Sequence, residues 1–371
     1  MNVLSLFDGM ACGMLAMQAA GIQVDRYVAF EIDKYAVQTS SHNFPMIEHR
    51  GDVFKADFTE FRGFDFLIGG SPCTYWSIAQ KNNRETEASG IGWELFSQYV
   101  RALREAKPMF FIYENNKSMS NAIRESITET FGFEPICINS ALVSAQNRQR
   151  LYWVGKRNLD GTYSRVQVDQ PQDKGILLRD VLDGVAWREK GYTIDSNYYK
   201  TLGQQGFDQQ SGRRKMAAEP VACRCRGRKD KDGNGYAKYE CREDGKANTL
   251  DTNTVNGSMV ASPVDPESTF ATPCEFDEQG KPTKAVSNAD GKIYPVYEVK
   301  DGQITIKGKQ YPIKLADGFY IIRKLTVSEC KRLQTVPEWY EFPVSNSQAY
   351  KMLGNGWTVD VISHLIKSAL V

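Results

Sequence analysis

The chain has 371 residues, 41% of them hydrophobic and 25% charged, an ordinary globular composition rather than a disordered one. Lysine and arginine number 46 against 45 aspartate and glutamate, a formal net charge of +1 that excludes a uniformly basic coat for nucleic acid. Any polyanion site must come from local charge. The length allows one large domain or two smaller ones, burying about three-quarters of the unfolded surface. The longest apolar runs, such as Phe110-Phe111-Ile112-Tyr113, fall far short of the roughly 20 residues that a membrane span needs. The opening residues run straight into a strand-like segment with no charged leader, so a cytoplasmic protein is expected.

In chain order, Val3–Phe7 reads as a strand, Ala11–Ala20 as a small-residue helix and Tyr27–Phe30 as a second strand. A helix-like stretch covers Lys34–His42. Strands follow at Phe64–Ile68 and Pro108–Tyr113, then a helix from about Ser118 to Thr130. Ile136–Asn139 and Leu151–Val154 close the series. Their connection lacks helical periodicity, which predicts an antiparallel hairpin at one edge. Strands alternating with helices predict an α/β domain over residues 1–157, a mostly parallel sheet covered on both faces.

From 158 to 318 the chain turns rich in Gly, Asp, Asn, Lys and Thr, with short strands such as Val296–Val299 and Gln303–Ile306. A smaller, loop-rich, mainly β domain is expected there. Its basic run from Arg213 to Arg242, including Arg224, Arg226 and Arg228, reads either as a solvated face or as a phosphate-contacting surface. Residues 319–371 return to helical character. Thr326 and Glu329 form a capping-box pattern opening a helix through Arg332, and Asp360–Leu370 is amphipathic.

The eight cysteines are dispersed and read as reduced thiols, because a chain this long needs no disulfide framework. Cys223-x-Cys225 with Cys241 and Cys274 fits no common zinc spacing, and His42, His49 and His364 lie in no ligand or triad pattern. No metal is expected.

The first strand ends in Phe7-Asp8-Gly9-Met10-Ala11-Cys12-Gly13, a glycine-bearing turn that opens a helix. Such turns let a ligand approach the backbone, and the helix start favours negative charge. Glu31 stands at the tip of the second strand, where an acid can hold two ribose hydroxyls, and Asp52 at the expected third tip. A nucleoside cofactor across the strand ends is one reading and a tight structural turn the other. The spacing is not the dinucleotide fingerprint. Gly69-Gly70-Ser71-Pro72-Cys73 follows the Phe64–Ile68 strand, so Cys73 is either a loop-borne nucleophile or an inert core thiol. Glu114, ending the next strand, is an acid with a raised pKa or a helix cap or ion pair. Arg148 and Arg150, two residues apart, can bind a carboxylate, a base edge or a phosphate.

In this order the motifs resemble those of the DNA (cytosine-5) methyltransferases, of bacterial or phage type, over most of the chain. Phe7-Asp8-Gly9 with Gly13 is similar to the S-adenosylmethionine loop, Pro72-Cys73 with Ser77 to the Pro-Cys motif, and Glu114-Asn115 to the Glu-Asn pair. Gln146, Arg148 and Arg150 match Gln-x-Arg-x-Arg. Arg323-Lys324-Leu325-Thr326, Glu329, Arg332-Leu333-Gln334 and Pro337 match the penultimate motif, and Tyr350–Asn355 the last. Two positions depart: Asn116 where the family has valine, and Thr74 where glutamine is common.

The resemblance implies a Rossmann-like S-adenosylmethionine-dependent fold with a target-recognition domain between the fourth and fifth motifs. It implies Cys73, Glu114, Arg148 and Arg150 as catalytic residues. Phe7, Asp8, Gly9, Gly13, Glu31, Ile32, Asp52, Val53, Pro72, Asn355 and Trp357 would bind S-adenosylmethionine. Double-stranded DNA is the implied partner, with Ser77, Gln80, Arg224, Arg226 and Arg228 as contacts. The segment Thr74–Gly92 is expected to close over a flipped base. A monomer, with a cognate restriction endonuclease as a potential companion, completes the expectation. A non-catalytic DNA-binding relative, an RNA cytosine methyltransferase and a nicotinamide-dependent oxidoreductase are the alternatives.

Overall fold

The first strand is Asn2–Leu6 (β1), buried along nearly its whole length and therefore apolar rather than alternating. It leads into helix Cys12–Ala20 (α1), whose C-terminus is capped by Gly21 in the left-handed region. Strand Arg26–Phe30 (β2), helix Lys34–Asn43 (α2, N-capped by the Asp33 carboxylate) and the short strand Glu48–His49 (β3) follow. Phe66–Gly69 (β4), Gly90–Ala106 (α3), Phe110–Asn116 (β5) and Asn121–Phe131 (α4) continue the alternation. Ile136–Asn139 (β6), Gln149–Arg157 (β7) and Tyr163–Arg165 (β8) complete the first sheet.

That sheet runs β3-β2-β1-β4-β5-β7-β6, with β8 also paired to β7. The first five strands are parallel, whereas β7 is antiparallel to β5, β6 and β8. The chain is thus an α/β protein with a mixed, mostly parallel sheet. One core cluster of the described residues includes the β4–β5 side, where Phe96 and Tyr99 of α3 pack with Phe111, Tyr113, Phe131 and Trp153. The buried Tyr99 hydroxyl reaches the carbonyls of Leu67 and Ile112, at 3.1 and 2.9 Å, so α3 is pinned beneath two adjacent strands.

A second, antiparallel sheet is built from Val221–Lys229 (β9), Gly235–Cys241 (β10), Met259–Pro263 (β11), Ala271–Phe276 (β12), Pro282–Ser287 (β13), Ile293–Lys300 (β14), Gln303–Ile306 (β15), Lys309–Pro312 (β16) and Gly318–Lys324 (β17). Helices Val327–Leu333 (α5), Asn346–Asn355 (α6) and Val359–Leu370 (α7) end the chain, and α7 packs on α1.

This computed structural model describes residues 1–77, 84–183, 221–229, 235–242, 244–247, 250, 259–265, 270–306 and 308–371. It divides into two compact units, Met1–Val181 with Asp244–Ser258 and Val327–Val371, and Leu182–Glu243 with Met259–Thr326. Residues 158–181 stay with the first unit because β8 pairs with β7 and the Leu178 N–H is held by the Gly245 carbonyl. Asp244–Ser258 belongs there too, anchored by the Lys246 ammonium on the carbonyls of Ala141, Ser144 and Ile176. No helix among the described residues is long and apolar enough to cross a membrane.

Candidate active site

At the β1 tip the backbone takes left-handed conformations at Phe7, Gly9 and Ala11 (φ 58°, 60° and 60°). Two of these are not glycine, an arrangement costing on the order of 1 kcal/mol apiece unless the surroundings fix it. Asp8 provides that fixing. Its Oδ1 accepts hydrogen bonds from Ser5 Oγ at 2.6 Å and from Tyr27 OH at 2.7 Å, inside the protein. Burial pushes the Asp8 carboxyl up to about 6, against the opposing pull of those two hydroxyls. Asp8 therefore supports the turn from within. Gly13 does the same in another way: a Cβ there would stand 2.3 Å from Ile68 Cδ1 and 2.5 Å from Tyr27 OH, so it lets α1 lie close on the sheet.

Gly9 faces open space and donates its N–H to Glu31 Oε2 at 2.8 Å. Glu31 Oε1 accepts the N–H groups of Ile32 and Asp33, both at 2.8 Å, which fixes the carboxylate at the β2 tip. Ile32 is 79% exposed, an apolar side chain presented beside that carboxylate. Asp52 caps a short 3-10 turn through Phe54 N–H, and Val53 within it is buried. Phe7, Asp8, Gly9, Glu31 and Ile32 thus share one end of the sheet.

The neighbouring tips carry side-chain chemistry. Gly69 leaves no room for a side chain, since a Cβ would stand 2.6 Å from the Leu6 carbonyl. A Cβ on Gly70 would meet both the Glu114 carbonyl and Glu114 Oε2 at 2.8 Å, so the Gly70 turn and the Glu114 carboxylate are fitted to each other. Ser71 is buried, Pro72 exposed, and Cys73 opens a 3-10 turn, Cys73–Tyr75. The Asn115 amide locks this turn by donating to the Ser71 carbonyl, Ser71 Oγ and Tyr113 OH. Asn116 is buried and directed to Asn115 and Ser118, so its polarity is absorbed locally.

Glu114 is 9% exposed, with both carboxylate oxygens engaged. Oε1 pairs with Arg150 Nε at 3.0 Å, and Oε2 accepts from Trp357 Nε1 at 3.0 Å. Register explains the first contact: Glu114 lies opposite Tyr152 on β7, which sets Arg150 on the diagonal of the same face. Arg148, just before β7, is buried and donates to the carbonyls of Leu250, Gly354 and Gly356. The two arginines, alike in sequence, thus hold different things. Asn355 is exposed at the end of α6, and Trp357 is half-buried. The Trp357 backbone N–H meets the Cys12 thiol, which burial pushes up to about 12. Tyr340 OH donates to the Met10 carbonyl at 2.6 Å, so the C-terminal segment closes behind the β1 turn.

Ser77 is half-buried, while Gln80 lies outside the described residues. The flanking chain is braced: Glu85 N–H reaches the Tyr75 carbonyl at 2.9 Å, and Trp76 Nε1 donates to Glu85 Oε2 at 3.0 Å. Arg84 ties the Trp76 and Ser118 carbonyls together. Arg224, Arg226 and Arg228 occupy alternate positions of β9, in register with Glu240, Lys238 and Tyr236 of β10. Among the described residues no group of three or more His, Cys, Asp or Glu is placed to hold a metal ion. Sequence reasoning missed the Ser71–Tyr113–Asn115 lock and the Trp76–Glu85 brace. Tyr27, which props Asp8, carried no signal beyond its place on β2.

The family model for C-5 cytosine-specific DNA methylases matches residues 1–370, and the chain belongs to that family. It is a DNA (cytosine-5)-methyltransferase. Among its relatives, the orphan methyltransferase M.SPRI of Bacillus phage SPR is 26% identical, across 100% of this chain and 97% of that protein. The type II methyltransferase M.HpaII of Haemophilus parainfluenzae is also 26% identical, across 99% and 88%. The fold is shared with Dnmt2 methyltransferase of S. pombe, at 15% identity and a TM-score of 0.52, covering 100% of this chain and 98% of that one.

Proposed function

We propose that the enzyme transfers a methyl group from S-adenosylmethionine to C5 of a cytosine turned out of a specific duplex DNA sequence. The reaction runs through a bond between Cys73 and C6. The observation that carries this reading is the fitted trio at adjacent strand tips: the Gly70–Cys73 turn, the Glu114 carboxylate against Gly70, and Arg150 on Glu114. The β1–β2 tips fit the cofactor. Gly9 leaves space for close approach, Glu31 keeps one acceptor site on Oε2 for a ribose hydroxyl, and exposed Ile32 offers an apolar face for a base. Phe7, Asp52, Val53, Pro72 and Asn355 complete the proposed set, while Asp8 and Gly13 support it from beneath. S-adenosylmethionine supplies an electrophilic methyl group on a sulfonium.

Cytosine C5 is a weak nucleophile until the ring is activated. The Cys73 thiolate adds to C6, forming the S–C6 bond and moving electron density towards C5 and N3. Glu114 meets N3 and the exocyclic amine and supplies a proton or strong hydrogen bond there, with Arg150 holding its other oxygen. After C5 is methylated, its proton passes to a base, for which water serves, and the S–C6 bond breaks to restore aromaticity. The target base must first leave the stack, costing a few kcal/mol. We assign the mainly β unit to reading the duplex, with Arg224, Arg226 and Arg228 on phosphates and Ser77 and Gln80 beside the vacated stack. Arg148 enters as the anchor of the C-terminal segment. We read the enzyme as a monomer, with a restriction endonuclease as the companion that its type II relatives suggest.

The test is direct. The protein is incubated with S-adenosylmethionine and mixed-sequence duplex DNA, or with transfer RNA, and the products are digested to nucleosides for mass spectrometry. 5-Methylcytosine from the duplex alone is expected. Methylation of RNA only would overturn the DNA reading, and none on either would overturn the catalytic one.

A further inference from the structure

The Trp357 side chain makes a contact that the cofactor-binding role does not use. Its indole N–H is directed at Glu114 Oε2, at 3.0 Å and across 243 positions of sequence. The same carboxylate is gripped on its other oxygen by Arg150 Nε at 3.0 Å, and the side-chain-free Gly70 turn runs beside Oε2, where a Cβ would stand 2.8 Å away. The two donors hold the carboxylate in one orientation, each on its own oxygen. Its two donors also differ in kind. Oε1 faces a guanidinium, always charged, whereas Oε2 faces a neutral indole.

Resting on the cytosine-methylation reading, we propose that Trp357 is a positioning residue that gives the two oxygens of Glu114 separate tasks. A cytosine edge offers a carboxyl group one donor, the exocyclic amine, and one acceptor, N3. The group must therefore accept with one oxygen and give a hydrogen with the other. Negative charge concentrates on the oxygen beside the cation, so Oε1, next to Arg150, accepts from the amine. Oε2, held only by the neutral indole, carries the hydrogen turned to N3. A carboxylate oxygen has lone pairs enough to keep the indole N–H while meeting the base. Trp357 lies just after Gly354 and Gly356, whose carbonyls Arg148 anchors, and its own backbone N–H meets Cys12 behind the β1 turn. One rigid segment thus serves both the cofactor side and the base side of the site.

The test compares wild type with Trp357→Phe, which keeps an aromatic ring and removes only the N–H. Three quantities are measured: the rate of denaturation-resistant adduct formation on duplex DNA containing 5-fluorocytosine, the affinity for S-adenosylhomocysteine by calorimetry, and the melting temperature. Loss of one hydrogen bond to the carboxyl group should slow adduct formation about fivefold to tenfold. Affinity for S-adenosylhomocysteine should stay within about twofold, and the melting temperature should hold. The same comparison on duplex DNA with 5-fluoro-2-pyrimidinone, which lacks the amine but keeps N3, should show an equal slowing, because the indole serves the N3 side. An unchanged adduct rate in Trp357→Phe would overturn the proposal while leaving the methylation reading intact. So would slowing accompanied by an equal loss of cofactor affinity or of melting temperature, the mark of a merely structural role. Slowing on cytosine alone would overturn the assignment of Oε2 to N3. No adduct with wild type would overturn the methylation reading itself, and the proposal with it.

Discussion

The two halves of the first sheet present their strand ends by different means. At β1 and β2 the site is made of backbone: left-handed residues, an open glycine and a carboxylate clamped by three N–H groups. At β4, β5 and β7 it is made of side chains held by other side chains, with Glu114 between Arg150 and Trp357. A backbone-built cradle binds a ligand by shape and tolerates little motion. A side-chain-built one places a functional group where charge develops during reaction. Buried support serves both. Asp8 fixes the first from within the core, and Asn115 locks the second through Ser71 and Tyr113.

The contrast makes predictions of graded size. Glu114→Gln keeps the shape of the side-chain half and removes its acid. Single-turnover methyl transfer should fall by about a hundredfold or more, while affinity for S-adenosylhomocysteine holds. A loss confined to cofactor affinity would dissolve the distinction between the halves. Gly70→Ala drives a methyl group to 2.8 Å from Glu114 Oε2 and its carbonyl. It should cost about 1–3 kcal/mol of stability in a denaturant titration, and turnover should drop further than stability explains.

Asp8 tests the backbone half through pH. Its folded-state carboxyl lies near 6 rather than 3.8, because burial penalises the charge. The native state therefore binds more protons than the unfolded one between those values, and wild-type stability falls as pH rises through that window, then levels. Asp8→Asn removes the titration, so the stability difference between the two proteins should slope between about pH 4 and 6 and be flat above. A difference independent of pH would contradict the buried charge. The smallest effect is expected in the second unit. Replacing Arg224, Arg226 and Arg228 by alanine should weaken duplex binding and lower the salt slope by up to about 3. An unchanged slope would return the run to a solvated face.

Much of the first sheet was legible because its strands are buried on both faces and read as short apolar runs between glycine-bearing turns. Helix α3 was not, although Trp93, Phe96, Tyr99, Leu103 and Ala106 repeat at three- and four-residue intervals. Gly90 and Gly92 at its start suggested a loop. Gly92 is there because a Cβ would stand 2.4 Å from Trp76 Nε1, a long-range reason that no local pattern reveals. The arginine pair shows the same limit. Arg148 and Arg150 match one motif equally, and only the β5–β7 register sends the second to Glu114. Trp357 was legible as a neighbour of the last motif, but its partner stands 243 residues away. The unit boundary at Val181 depends on pairing between β7 and β8, which composition does not record.

The central claim, that Cys73 bonds to the target base, has one direct measurement. Duplex DNA containing 5-fluorocytosine is incubated with the enzyme and S-adenosylmethionine, the product is denatured and digested, and the nucleotide-bearing peptide is sequenced by mass spectrometry. Fluorine cannot leave as a cation, so the S–C6 bond should persist on the peptide containing Cys73, and Cys73→Ser should yield no adduct. An adduct on another cysteine, or methylation in the Cys73→Ser protein, would contradict the account.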